Sequence, residues 1–166
     1  MNGIGKWLEN FLFPKLTRKF FLRVLAVAAI AYLFFGYVCM PMKIRGRSME
    51  PTFADHGFTF CWTPSYWFSE PKRGDVVGIR YIANEILLLK RIIGIPGDLI
   101  EFKSGALYRN GERIEEPYKA EPSDWDLPPR KVAPGHVYVA GDNRAVPIQI
   151  HMFGEISADR IVGKVL

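Results

Sequence analysis

Cysteine is scarce in this chain: Cys39 and Cys61 are its only two, and neither has the paired spacing of a zinc site. A disulfide-stapled scaffold is therefore set aside, and both cysteines read as packing residues that need no bridge. Histidine is scarce too, limited to His56, His136 and His151. The sequence has no GxSxG elbow and no HExxH string, so a Ser-His-Asp hydrolase of the strand–turn–helix type and a zinc hydrolase both lack their signatures. Internal repeats and coiled-coil heptads are absent as well, which excludes a solenoid or a long zipper.

Charge of one sign is missing from most of the chain. The net charge is +5, but residues 1–47 carry eight Lys and Arg against one Glu, whereas residues 48–166 carry fourteen against sixteen acids. The basic excess belongs to the N-terminal segment, so a cationic stripe following a phosphate backbone is not expected, and no nucleic-acid partner is.

Long apolar runs are limited to one. Val24–Met40 contains no charged residue, and Arg23 before it can extend its head group outward. A transmembrane helix is expected over 20–40, preceded by a basic N-terminus over 1–19. A cleaved secretory signal fits less well, because Tyr37, Val38 and Met40 are bulky where cleavage needs small residues, and Val38 before Cys39 also disfavours a lipoprotein. Lys6, Lys15, Arg18, Lys19 and Arg23 precede the run, and Lys43, Arg45 and Arg47 follow it. That balance predicts a cytoplasmic N-terminus, a single pass through the inner membrane and an extracytoplasmic body over 41–166.

The body reads as compact and all-β. Short strand-like runs recur, among them "HGFTFCW", "DVVGIRYI", "EILLLKRIIGI", "DLIEF" and "HVYVAGD", each bounded by Gly, Pro, Asn or Asp. "LYRNGERI" reads as a hairpin whose two-residue turn is Asn110-Gly111. Residues 116–135, rich in Pro and charge, are expected to be an irregular excursion.

Three Gly-Asp pairs, in "RGDVV", "PGDLI" and "AGDNR", read individually as turn chemistry. Lys90 is more unusual. Period-two alternation places it with Ile86, Leu88 and Ile92 on one apolar face. Either the ammonium extends to solvent at a sheet edge, or desolvation lowers its pKa and leaves a neutral amine able to take a proton from a hydroxyl. The aromatics of "YWF" at 66–68 fit either a membrane interface or ordinary packing.

Taken in order, "GRSMEPTF", "RGDVV", "LKRIIGIPGD" and "GDNRAVPIQIHMFG" resemble the motif boxes of the type I signal peptidases, membrane-anchored Ser/Lys proteases. The resemblance runs from the apolar segment to the last residues. It implies an antiparallel β domain of signal-peptidase type behind one transmembrane helix, and no cofactor or metal. It also implies Ser48 as nucleophile, Lys90 as general base, a Ser48 backbone N–H facing the oxyanion, and preprotein signal peptides with small residues one and three before the cut as substrates. Gly46 stands where some relatives carry a second hydroxyl. Met49 is expected beside the nucleophile, and Arg91 and Asp142 match a supporting pair. In the last box, Pro147 replaces a Ser that hydrogen-bonds the lysine in many relatives, while Gln149 and His151 replace an Asp and an Arg, which leaves open a slower lysine or one held by another donor such as Ser157 or a water. Two alternatives stay open: a specialised leader peptidase of a pilin or conjugation system, and a non-catalytic membrane scaffold.

Overall fold

The computed structural model describes residues 16–81, 86–119, 123–149 and 154–166. The chain divides into two compact units, Met1–Val38 and Cys39–Leu166.

In the first unit, α1 spans Arg18–Leu33 and continues as a π-helical turn over Phe34–Val38. Thr17 caps it, its hydroxyl accepting from the Phe20 N–H at 3.3 Å. None of its residues is buried, although Phe21, Leu25, Val27, Ile30 and Tyr32 are all large and apolar. Arg18–Val38 is long and apolar enough to cross a membrane, with mean hydropathy 2.0. The helical segment thus covers 18–38 where 20–40 was expected, because Cys39 and Met40 already belong to a strand.

The second unit is antiparallel β structure in two sheets. Its strands are β1 (Cys39–Lys43), β2 (Phe58–Trp62), β3 (Val76–Tyr81), β4 (Ile86–Gly94), β5 (Leu99–Lys103) and β6 (Ala106–Arg109). They continue with β7 (Glu112–Arg113), β8 (Leu127–Lys131), β9 (His136–Ala140), β10 (Gly154–Ser157) and β11 (Ile161–Val165). Seven form one sheet in the order β1-β2-β11-β3-β4-β9-β10, and four form another in the order β7-β6-β5-β8. The expected hairpin joins β6 to β7, with Asn110 and Gly111 both at positive φ, 54° and 85°.

Four strands escaped sequence reading: β10 and β11, and two that contain proline. β1 carries Pro41, and β8, inside the stretch expected to be irregular, carries Pro128 and Pro129. Both are edge strands, where the missing N–H leaves no ladder bond unmade.

Alternation along β4 sends consecutive residues into different cores. Ile93 joins Ile100, Phe102, Leu107, Trp125 and Tyr138 in a cluster drawn from both sheets. Ile92 packs with Val77, Ile79, Val137 and Val139, and Leu88 rests against them. A third cluster holds Met49, Val76 and Val165, with Phe53 and Leu89 against it. Burial of these branched and aromatic side chains, each contributing about 1.5–3 kcal/mol, dominates the stability of the body. Cys61 is fully buried and Cys39 half-buried, and both are free thiols.

Candidate active site

Ser48 sits in the turn that follows β1. That turn is held by the Glu50 N–H donating to the Arg47 carbonyl at 3.2 Å and the Phe53 N–H to the Met49 carbonyl at 2.9 Å. Gly46 precedes it at φ 92°, a conformation that disfavours any side chain, and its N–H donates to Asp55 Oδ1 at 2.8 Å. Met49 is buried and anchors the turn in the third cluster. Arg47 Nε donates to Glu50 Oε2 at 2.8 Å on the exposed side.

Across from this turn, β4 presents Lys90. Register pairs it with Val77, so its stem lies on the apolar face shared by Leu88 and Ile92. The side chain is only 3% exposed, and its Nζ lies 2.8 Å from Ser48 Oγ, its only hydrogen-bond partner among the described residues. Burial pushes the Lys90 pKa down to about 8, against the opposing pull of the Asp142 carboxylate. Of the two readings of this lysine, extension into solvent is excluded by its burial. The arrangement can hold a neutral amine against a hydroxyl near physiological pH.

The residue after it does the opposite. Arg91 donates from Nε to Asp142 Oδ1 at 2.7 Å and from its second terminal nitrogen to Oδ2 at 2.6 Å, a bidentate pair with a fully buried carboxylate. Its third nitrogen donates to the Gly74 carbonyl at 2.8 Å, and the Tyr118 ring lies 4.1 Å from its guanidinium carbon. Thr52 Oγ1 donates to the same carboxylate at 2.6 Å, tying the serine turn to it.

Sequence reading missed Asn143. Its N–H donates to the Ser48 carbonyl at 3.0 Å and its side-chain amide to the Arg47 carbonyl at 3.0 Å, so it grips the serine turn at two successive residues. It also missed the buried Arg144–Glu116 pair, whose guanidinium lies over the Phe102 and Trp125 rings at 5.3 and 5.4 Å. Asn143 and Arg144 follow Asp142 in "GDNR", so their signal was their place in a motif already singled out; Glu116 had none. Of the other Gly-Asp pairs, Asp98 takes a bidentate bond from Arg73, which holds its pKa down at about 2 despite burial, and Asp75 accepts from Tyr66 and Lys164. Both close turns away from Ser48.

Pro147 and Gln149 are exposed, and His151 lies outside the described residues. Ser157 ends β10 opposite His136 and makes no hydrogen bond to Lys90, so it does not replace the absent serine hydroxyl. His56 is exposed at φ 60° beside Asp55, and His136 faces the Pro134 carbonyl; neither reaches Ser48.

A small cavity of about 50 Å³ opens between residues 42–46, Ser48, Met49 and Leu88–Lys90. Beside it, the first half of β4 is paired on one side only: β3 covers Ile86–Arg91, whereas pairing with β9 begins at Arg91. A larger cavity, about 710 Å³, lies around β6 and the chain after β7 and includes neither Ser48 nor Lys90.

Comparison with known proteins gives the family of the chain. The profile of the family described as signal peptidase, peptidase S26, matches residues 17–166. The chain is 34% identical to a signal peptidase I of Bacillus licheniformis over 73% of its own length and 70% of that protein's. It is 33% identical to a probable signal peptidase I-1 of Synechocystis sp., covering 86% and 77% of the two chains. It is 34% identical to signal peptidase IB of Staphylococcus aureus, covering 85% and 83%. Among solved structures, a signal peptidase I from Enterococcus faecalis aligns with TM-score 0.49 and 26% identity, over 59% of this chain and 98% of that one. By the family profile and by these relatives, each matched over more than two thirds of both chains, the chain belongs to the signal peptidases, peptidase family S26.

Proposed function

We propose that this protein is a membrane-anchored serine endopeptidase that removes signal peptides from exported preproteins, with Ser48 as nucleophile and Lys90 as general base. The observation that carries the reading is the 2.8 Å contact between Ser48 Oγ and a lysine nitrogen that is almost wholly buried. In its neutral form Lys90 accepts the hydroxyl proton as Oγ attacks the scissile carbonyl. The resulting ammonium then gives that proton to the departing amine, and a water repeats the cycle to release the acyl group. The Ser48 N–H has no acceptor among the described residues and is free to donate to the developing oxyanion.

Substrate would lie as an added strand along the open half of β4, its main chain pairing with backbone groups that β9 leaves unused. The cavity of about 50 Å³ beside Ser48 has room for a methyl or hydroxymethyl group but not for a ring, which favours small residues at the positions that point into it. The apolar segment Arg18–Val38 would anchor the chain in the inner membrane, N-terminus inside, with the β unit outside where exported preproteins emerge.

The test is purified full-length protein in neutral detergent, mixed with a preprotein carrying an A-x-A cleavage site. Wild type should release the mature product, while Ser48→Ala and Lys90→Ala should leave the precursor intact. Equal cleavage by all three would refute both assignments.

A further inference from the structure

We infer that Lys43 and Arg45 form a cationic rim on the substrate groove that selects an acidic side chain two residues before the cut. The inference rests on the reading of the groove given above and names a substrate feature that small-residue selection does not touch.

The local fold separates two roles along one short segment. Met42 and Ile44 are buried, and Lys43 and Arg45, between and after them, are exposed. All four nevertheless line the small cavity that contains Ser48 and Lys90. Alternation therefore turns the apolar pair into the body and leaves the two cations at the mouth of the cavity. Arg47, the next exposed cation, is already neutralised by Glu50 at 2.8 Å. Lys43 and Arg45 form no ion pair among the described residues. Two unpaired positive charges thus stand within the groove, beside a stretch, residues 48–166, that carries fourteen Lys and Arg against sixteen acids.

A substrate strand obeys the same period of two. If the side chains one and three residues before the cut enter the cavity, the one between them points away from its floor, toward the mouth where Lys43 and Arg45 stand. A carboxylate there meets two cations, and an ammonium meets repulsion. Because the rim is solvent-exposed, the discrimination is modest and sensitive to salt, about tenfold between Glu and Lys at low ionic strength.

The experiment uses full-length protein in neutral detergent and three fluorescent peptides with an A-x-A site, differing only in Glu, Gln or Lys at the middle position. Binding is measured by anisotropy on Ser48→Ala, and on the same variant carrying Lys43→Glu and Arg45→Glu, at 20 mM and 500 mM NaCl. The expected order is Glu, then Gln, then Lys on the first protein, reversed on the second, and flattened for both by salt. An order unchanged by the charge reversal would overturn the proposal. So would a rim that responds only to lipid, shown by binding that is indifferent to peptide charge while wild-type activity rises with phosphatidylglycerol content and that of Lys43→Glu/Arg45→Glu does not. Cleavage of the same peptides by wild type is scored separately. Failure to cut any of them would count against the proposed function, while the binding order would still decide the rim.

Discussion

The two faces of β4 treat a cation withdrawn from solvent in opposite ways. On one, Arg91 meets the fully buried Asp142 with two hydrogen bonds of 2.7 and 2.6 Å, plus a backbone carbonyl and an aromatic ring. On the other, Lys90 is 3% exposed and meets one hydroxyl, with no carboxylate in contact. The guanidinium is kept charged by what surrounds it, and the amine is pushed toward neutrality by what is missing around it. A strand can carry both because its alternation separates them by one residue and two environments.

Breaking each side should therefore produce effects of different kinds. The largest is expected from Ser48→Ala or Lys90→Ala: a fall in turnover of about 10³-fold or more, measured by peptide cleavage, with the folded protein retained. Next comes Asp142→Ala, which leaves the half-buried Arg91 without its anion and Thr52 without its acceptor. A loss of about 3 kcal/mol in denaturant unfolding is expected, and Arg91→Ala should cost a similar amount by stranding Asp142.

The opposite sign is expected on the lysine face. Lys90→Met removes an amine whose burial opposes its charge, so at pH 7 the variant should gain about 2 kcal/mol in stability while losing activity. The advantage should shrink with pH. A folded Lys90 releases its proton near 8, whereas the unfolded lysine holds it to about 10.5. Between those values the unfolded state binds more protons, so wild type gains stability as pH rises and approaches the methionine variant. A constant difference across that window would contradict the comparison.

The smallest expected effect sharpens how the nucleophile is aimed. Asn143→Ala removes the bond to the Arg47 carbonyl but keeps the backbone bond to Ser48. About 1 kcal/mol of stability should be lost, with kcat falling more than KM changes if the serine turn loses its aim.

The strand pattern of the body and the Lys90 anomaly were legible because both follow from period-two alternation: an ammonium among Ile and Leu is visible without coordinates. The Asn110-Gly111 turn was legible for the same kind of reason, since both residues accept positive φ. β1 and β8 were not, because Pro41, Pro128 and Pro129 erase the strand signal unless the strand is known to lie at an edge. The pairing of Arg91 with Asp142 spans 51 positions, and that of Thr52 with Asp142 spans 90. The residues themselves give no such partner, and the Arg91–Asp142 match came only from the family resemblance. Asn143 was hidden differently, since two of its contacts are to main-chain carbonyls, which every residue possesses.

The central claim is that Lys90 is neutral when it meets Ser48, and titration of its side chain tests it most directly. With lysine labelled at Cε in full-length Ser48→Ala protein, and Lys90→Met used to assign the resonance, the Lys90 signal should titrate near pH 8. The same midpoint should appear in the wild-type pH profile of kcat/KM, rising with pH. A Lys90 signal titrating near 10.5, the ordinary value of a lysine, would contradict the account.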